Sequence, residues 1–150
     1  MPRDRNVANF LRDEALQQMR TDSGLRVWLF WNVDELVGFA SLGQTEWSYP
    51  RPNGSKKVVV QIIPNLAVSV THGNRGYGRE ILQGVIVEAL RRRDTVSELL
   101  GLLVHVENAR AIHIYDTEGF ENHGKPSTYD GESFQRMIIT LPAAHEVVVS

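Results

Sequence analysis

Apolar residues recur along this chain at spacings that sort it into helices and strands. Val7, Phe10, Leu11 and Ala15 share one face at helical spacing, which predicts an amphipathic helix from Asn6 to about Arg20, ended at Asp22-Ser23-Gly24. Arg26–Trp31 and Leu36–Leu42 are rich in aromatic and branched residues, and with Asn32–Glu35 between them they predict an antiparallel hairpin. The prolines of Tyr49-Pro50-Arg51-Pro52-Asn53-Gly54 cannot donate ladder hydrogen bonds, so this stretch reads as a polar loop. Val58 to Val70 is apolar enough for a long strand, which Pro64-Asn65 interrupts as a bulge. Ile81, Leu82, Val85, Ile86, Ala89 and Leu90 predict a helix from Tyr77 to Arg93, its closing arginines Arg91, Arg92 and Arg93 forming a solvated end against the negative pole of the dipole. Leu99–Val106 follows as a strand covered on both faces, then a short helix Ala109–Glu118 stopped by Gly119, then a last strand Phe134–Leu141. A hairpin followed by strand–helix alternation predicts an α/β protein with a mixed sheet. With no repeat, linker or low-complexity tract, residues 1–150 read as one domain.

Composition narrows the function classes. Sixteen Lys+Arg against eighteen Asp+Glu leave a formal net charge of −2, which argues against nucleic acid as the main partner. The chain has no cysteine, which excludes a disulfide framework, a Cys-ligated zinc and an acyl-enzyme on a thiol. Its apolar runs fall far short of the roughly 20 residues that span a bilayer. Met1-Pro2-Arg3-Asp4-Arg5 precedes no apolar stretch and so does not read as a signal peptide. The expectation is a cytoplasmic protein without membrane contact.

Candidate chemistry sits in two stretches. Gly73-Asn74-Arg75-Gly76-Tyr77-Gly78-Arg79 lies between the long strand and the long helix. Its glycines allow a tight turn that presents N–H groups, and the new helix adds unsatisfied N–H groups and a partial positive charge, together a cradle for a diphosphate. Arg75 and Arg79 add charge without a metal. A Walker loop needs Lys-Ser/Thr where Arg79-Glu80 stands, and a dinucleotide fingerprint needs glycine where Ile81 stands. The second stretch is Val106–Phe120. Asn108 is placed to cap the short helix, while Ala111 and Tyr115 share one helical face. Tyr115 reads either as core filling or, beside a phosphate cradle, as a phenolic proton donor.

Together the two stretches resemble the GCN5-related N-acetyltransferase superfamily, whose cofactor motif Gln/Arg-x-x-Gly-x-Gly/Ala is matched by Gly73–Gly78 except that Gly73 replaces Gln or Arg. The pattern Asn-x-x-Ala-x-x-x-Tyr-x-x-x-Gly-Phe is matched at Asn108, Ala111, Tyr115, Gly119 and Phe120. The resemblance implies a mostly antiparallel sheet splayed open in the middle and flanked by helices. It also implies a leading strand, for which Met1–Arg5 is too short and polar, so the expectation is that the strand is absent or that the domain is trimmed at that end. The implied activity is transfer of an acetyl group from acetyl-CoA to an amine, with no metal. On this basis Leu66-Ala67-Val68 pairs with the pantetheine arm, the Val68 N–H meets the thioester oxygen, Asn108 holds the arm, and Tyr115 protonates the departing thiolate.

The family's carboxylate bases fall on Ile62, sixteen before Gly78, and on Leu103, five before Asn108; neither is acidic. His105 shares a strand face with Leu103 and reads either as a proton relay or as a packed structural histidine. Glu46 is a further candidate base. His72, His113, His123 and His145 show no metal-ligand spacing and read as surface or cap residues. Trp47 beside the proline loop reads as core or as the lining of an acceptor pocket. The acceptor stays open between a small molecule, a peptide N-terminus, a lysine and aminoacyl-tRNA, the last because the chain faintly resembles toxin acetyltransferases. A non-catalytic acyl-CoA-binding domain on the same fold is the alternative from another class. Exposed sheet edges make a homodimer an expectation.

Overall fold

The computed structural model of the protein describes residues 25–69 and 76–142. The helix predicted from Asn6 to Arg20, the stretch Met1–Arg5 and residues 143–150 lie outside them. Within the described residues β1 (Arg26–Asn32) and β2 (Glu35–Arg51) pair antiparallel from Arg26↔Leu42 to Asn32↔Glu35, as the hairpin pattern predicted. Only Val33 and Asp34 turn the chain, Val33 at φ 60°. β2 then runs straight through the predicted proline loop. The connection shrinks to Pro52-Asn53, and β3 (Gly54–Ile63) starts at once from Gly54, whose φ of 121° suits glycine alone. A strand admits proline wherever its nitrogen faces no acceptor, so two prolines did not suffice to make a loop of six residues.

β4 (Leu66–Val68) also pairs with β2, so Pro64-Asn65 interrupts one long passage along β2. The buried Ser41 pins the interruption: its N–H donates to Asn65 O at 2.9 Å, and its Oγ accepts from Asn65 N at 3.1 Å and Asn65 Nδ2 at 3.2 Å. Next come α1 (Tyr77–Arg91), β5 (Leu99–His105), α2 (Ala109–Thr117), β6 (Glu121–Asn122), β7 (Ser127–Tyr129) and β8 (Glu132–Thr140). The hydrogen-bonded strand order is β1-β2-β3-β5-β8-β6, with β4 also on β2 and β7 also on β8, in a mixed α/β fold whose sheet is predominantly antiparallel.

The chain forms two compact units, residues 1–44 with 63–88, and residues 45–62 with 89–150. In the first, Ile81, Leu82 and Val85 of α1 are buried, as are Val37, Phe39, Ala40 and Leu42 of β2; Phe39 packs on Val27, Leu36 and Ala67. In the second, Leu100, Leu102 and Val104 of β5 are buried together with Met137, Phe120 and Leu141. Their alternation marks the core face of β5. The expectation of burial on both faces fails on the other one. There Gly101 lies under Trp47, yet Leu103 is 51% exposed. An apolar run alone does not tell two covered faces from one covered face and an open patch.

Two polar side chains fasten the second unit. Gln61, fully buried, donates from Nε2 to Ala89 O at 2.9 Å and Ser97 O at 2.8 Å, tying the end of α1 and the turn before β5 to β3. Arg93 is no solvated helix end. Its Nε donates to Leu141 O at 3.1 Å and its guanidinium pairs with Asp94 at 2.9 Å and Glu98 at 3.1 Å. Replacing Gln61 with Leu keeps the volume but removes both bonds, stranding Ser97 O while Ala89 O keeps the Arg92 N–H at 3.0 Å, and is expected to lower stability by about 1–3 kcal/mol. A urea melt with a lower midpoint and an unchanged slope would show it.

Candidate active site

Gly38 determines how closely β4 can lie in the first unit. A Cβ there would strike the Ala67 carbonyl oxygen and stand 2.7 Å from Ile81 Cδ1 and 3.2 Å from the Val68 Cα. Only glycine lets β4 rest on β2 while α1 packs over the same spot. The register then decides which way the β4 main chain faces. Ser69 N–H donates to Val37 O at 2.7 Å and Ser41 N–H to Asn65 O at 2.9 Å, with Phe39 opposite Ala67 between them. Antiparallel pairs alternate, so the N–H and C=O groups of Leu66 and Val68 aim away from β2. That edge fits an extended arm carrying its own amides.

Gly76 precedes α1 at φ 79°, a conformation open to glycine, and the first turn closes through Glu80 N–H to Gly76 O at 3.2 Å. The helix end that follows, with half-buried Tyr77, Gly78 and Arg79, has the N–H direction and dipole that favour an anion. Gly73, Asn74 and Arg75 lie outside the described residues. The part of the cradle on view, Leu66–Val68 and Gly76–Arg79, thus falls within one unit.

Asn108, Tyr115 and His105 belong to the second unit. Asn108 caps α2, its Oδ1 accepting from Ala111 N–H at 3.2 Å, which leaves its Nδ2 hydrogens for another partner. Helix α2 ends at Glu118, and Gly119 at φ 102° turns the chain so that Phe120 N–H reaches Tyr115 O at 3.0 Å. Phe120 is 1% exposed, and its ring lies 6.0 Å from that of Tyr115 at 57°. The tyrosine therefore projects from a rigid helix end beside a buried ring. Burial raises the Tyr115 phenol above the ordinary 10.0, which keeps it a proton donor.

His105 is differently held. Its Nδ1 accepts the Glu107 N–H at 3.1 Å, its Nε2 lies 3.9 Å from Glu132 Oε1, and its ring meets Phe134 edge-on at 5.3 Å. The nitrogen with a lone pair is already engaged, an arrangement that favours the packing role over the relay. Glu46 is exposed, Ile62 half-buried. His123, expected at the surface, is half-buried instead: its ring lies parallel to Trp47 at 5.6 Å and tilted on Tyr49 at 4.3 Å. Trp47 itself is 4% exposed and packs over Gly101, where an added Cβ would come within 2.6 Å of the indole. No group of three or more His, Asp or Glu able to hold a metal occurs among the described residues, and no helix there is long and apolar enough to cross a membrane. Sequence reasoning missed Gly38 and Gly101. The available signal was a glycine inside an apolar strand, which marks close approach of another group.

The model of the acetyltransferase (GNAT) family matches residues 3–120. The chain belongs to the GNAT acetyltransferase family. Solved structures share the fold at low sequence identity. NAA60 of Arabidopsis thaliana, in complex with a bisubstrate analogue, is 16% identical, with a TM-score of 0.68 over 95% of each chain. The ribosomal-protein-S18-alanine N-acetyltransferase of Escherichia coli is 21% identical, with a TM-score of 0.62 over 92% of this chain and 83% of that one. A GNAT acetyltransferase of Elizabethkingia anophelis with acetyl-CoA bound is 20% identical, with a TM-score of 0.61 over 86% of this chain and 83% of that one. No curated protein matches the sequence.

Because Gly38 sets the seating of β4, this GNAT chain is expected to lose about 1–3 kcal/mol in Gly38→Ala by overpacking. Native-state hydrogen exchange should then quicken selectively at the Ser69 amide, whose acceptor is Val37 O. Unchanged protection there would contradict the account of β4.

Proposed function

We propose that this protein transfers the acetyl group of acetyl-CoA to an amine by direct attack, with both substrates bound together. The observation that carries the reading is the outward main-chain edge of Leu66 and Val68 in the unit that also holds the start of α1. Acetyl-CoA supplies a thioester whose carbonyl an amine can attack. Leu66 and Val68 would pair with the amides of the pantetheine arm, and the Val68 N–H would stabilise negative charge growing on the thioester oxygen. The N–H groups at the start of α1, with the glycine turn before it, would hold the diphosphate, Arg79 adding charge. The Nδ2 group of Asn108 would steady the arm while Oδ1 stays in its cap.

Tyr115 would give its phenolic proton to the departing thiolate. A phenol held neutral by burial suits that task, and a domain that only binds the carrier has no use for it. No cysteine is present to take the acetyl group first. With Ile62 and Leu103 aliphatic and the His105 Nδ1 engaged, the amine would shed its proton to water, which favours acceptors of low pKa.

Incubating the full chain with acetyl-CoA and a panel of amines while following free thiol tests the reading. Thiol release that needs an amine is expected; tight acetyl-CoA binding without release under any amine would overturn it. Tyr115→Phe should lower kcat by about 100-fold or more, since positioned acids contribute 10²–10⁴, and leave the acetyl-CoA affinity nearly unchanged. Because the Tyr115 pKa is raised, the acid form persists as pH climbs and is lost only above 10.0. Any fall in kcat at lower pH should therefore survive in Tyr115→Phe.

A further inference from the structure

The face of β5 that bears Leu103 is open, although β5 is an interior strand with β3 and β8 on its two sides. Directly across from Leu103 on β8 stands Arg136. Its guanidinium carbon lies 5.1 Å from the centroid of the Trp47 ring, and Arg136 is half-buried. Among the described residues it makes no ion pair; the carboxylate of Glu132, four residues earlier on β8, lies instead toward His105 at 3.9 Å. Trp47 is fixed in turn, packed over Gly101 and flanked by His123. A guanidinium laid on an indole keeps its N–H fork for a planar anion, and a bidentate carboxylate is the partner that fork fits best. Leu103 supplies an apolar floor beside it, with Phe134 on the same face of β8.

We infer that this patch receives an amine acceptor carrying a carboxylate and an apolar body, Arg136 gripping the carboxylate while the body rests on Leu103. The inference rests on the acetyl-transfer reading, in which the carrier is assigned to β4 and α1 and the amine has no site as yet. A carboxylate would repel such an acceptor; opposite Arg136 stands the aliphatic Leu103, and Glu132 at the far end of this face lies toward His105. Arg136 is thus a specificity-determining residue, and Trp47 a positioning residue that acts through it.

The test uses the full chain with matched probes: leucine and leucinamide, and a leucyl dipeptide with a free C-terminus against its amide. Binding is read by tryptophan fluorescence and calorimetry, turnover by thiol release with acetyl-CoA. Carboxylate-bearing probes should bind about tenfold or more tighter than their amides, the range of a charge-assisted pair. Arg136→Gln should abolish that preference by raising KM for the carboxylate-bearing probes, and Arg136→Lys should restore part of it. Preference for leucine alone points to a free amino acid; preference for the dipeptide points to a peptide. Urea melts of both variants keep folding losses apart from binding losses. Equal binding of acids and amides by the wild type, or a preference that survives in Arg136→Gln, would overturn the inference. Arg136-dependent binding without thiol release would instead leave the site standing and remove the acetyl-transfer reading.

Discussion

One missing side chain governs the first unit. The space a Cβ at Gly38 would need is shared by the carbonyl oxygen of Ala67 and the end of Ile81, so β2, β4 and α1 can converge there only on bare backbone. Packing at interior density has no room to absorb a methyl group without moving one of the three. Two consequences matter for chemistry. β4 is held in a register that turns the main chain of Leu66 and Val68 outward, and α1 is anchored by Ile81 within one turn of its N-terminus. The groups assigned to the carrier are backbone groups, so their aim depends on strand register and helix seating. This is why a glycine outside the recognised motif governs a site built from the motif.

The second unit reaches rigidity by another route. Gly119 leaves α2 in a conformation that side chains resist, Phe120 turns inward, and its N–H returns to the carbonyl of Tyr115. The same closure buries the phenol, and burial keeps it neutral. In the proposed transfer the acid is thus prepared by packing, while none of the candidate bases among the described residues is prepared in a comparable way. His105 spends its Nδ1 on the turn that begins α2, and the two positions that the resemblance assigned to a carboxylate base hold the aliphatic Ile62 and Leu103. Such asymmetry suits a reaction in which the thiolate must be protonated at once and the amine arrives with little help.

Much of this was legible in the chain. The motif from Asn108 to Phe120 fixed the place of α2, its cap and its glycine stop, because each depends on neighbours within a few residues. The hairpin of β1 and β2 and the extent of α1 followed from periodicity for the same reason. Illegible features were those decided by distant partners. β2 passes through Pro50 because the pairing of its whole length outweighs one missing donor. β6 and β7 are too short to show a period. Arg93 read as part of a solvated helix end until Leu141, 48 residues on, supplied a carbonyl. His123 resembled a surface histidine until Trp47 and Tyr49 came to lie on its ring.

The open face of β5 follows from the same kind of long-range packing. Trp47 needs the bare backbone of Gly101 beneath it, so the indole covers the strand at residue 101 and stops there, leaving Leu103 two residues on without a cover. Arg136, opposite Leu103, places its guanidinium carbon 5.1 Å from the centroid of the indole. Burying a leucine side chain contributes about 1.5–3 kcal/mol, so leaving one half-exposed on an interior strand forgoes roughly 1 kcal/mol. An aliphatic residue at 136 would recover much of that and would also remove from a half-buried position a cation that makes no ion pair among the described residues. The arrangement is thus worse for stability than a simple alternative, and stability alone does not account for it. A ligand that lays apolar surface on Leu103 and a carboxylate on Arg136 satisfies both groups at once.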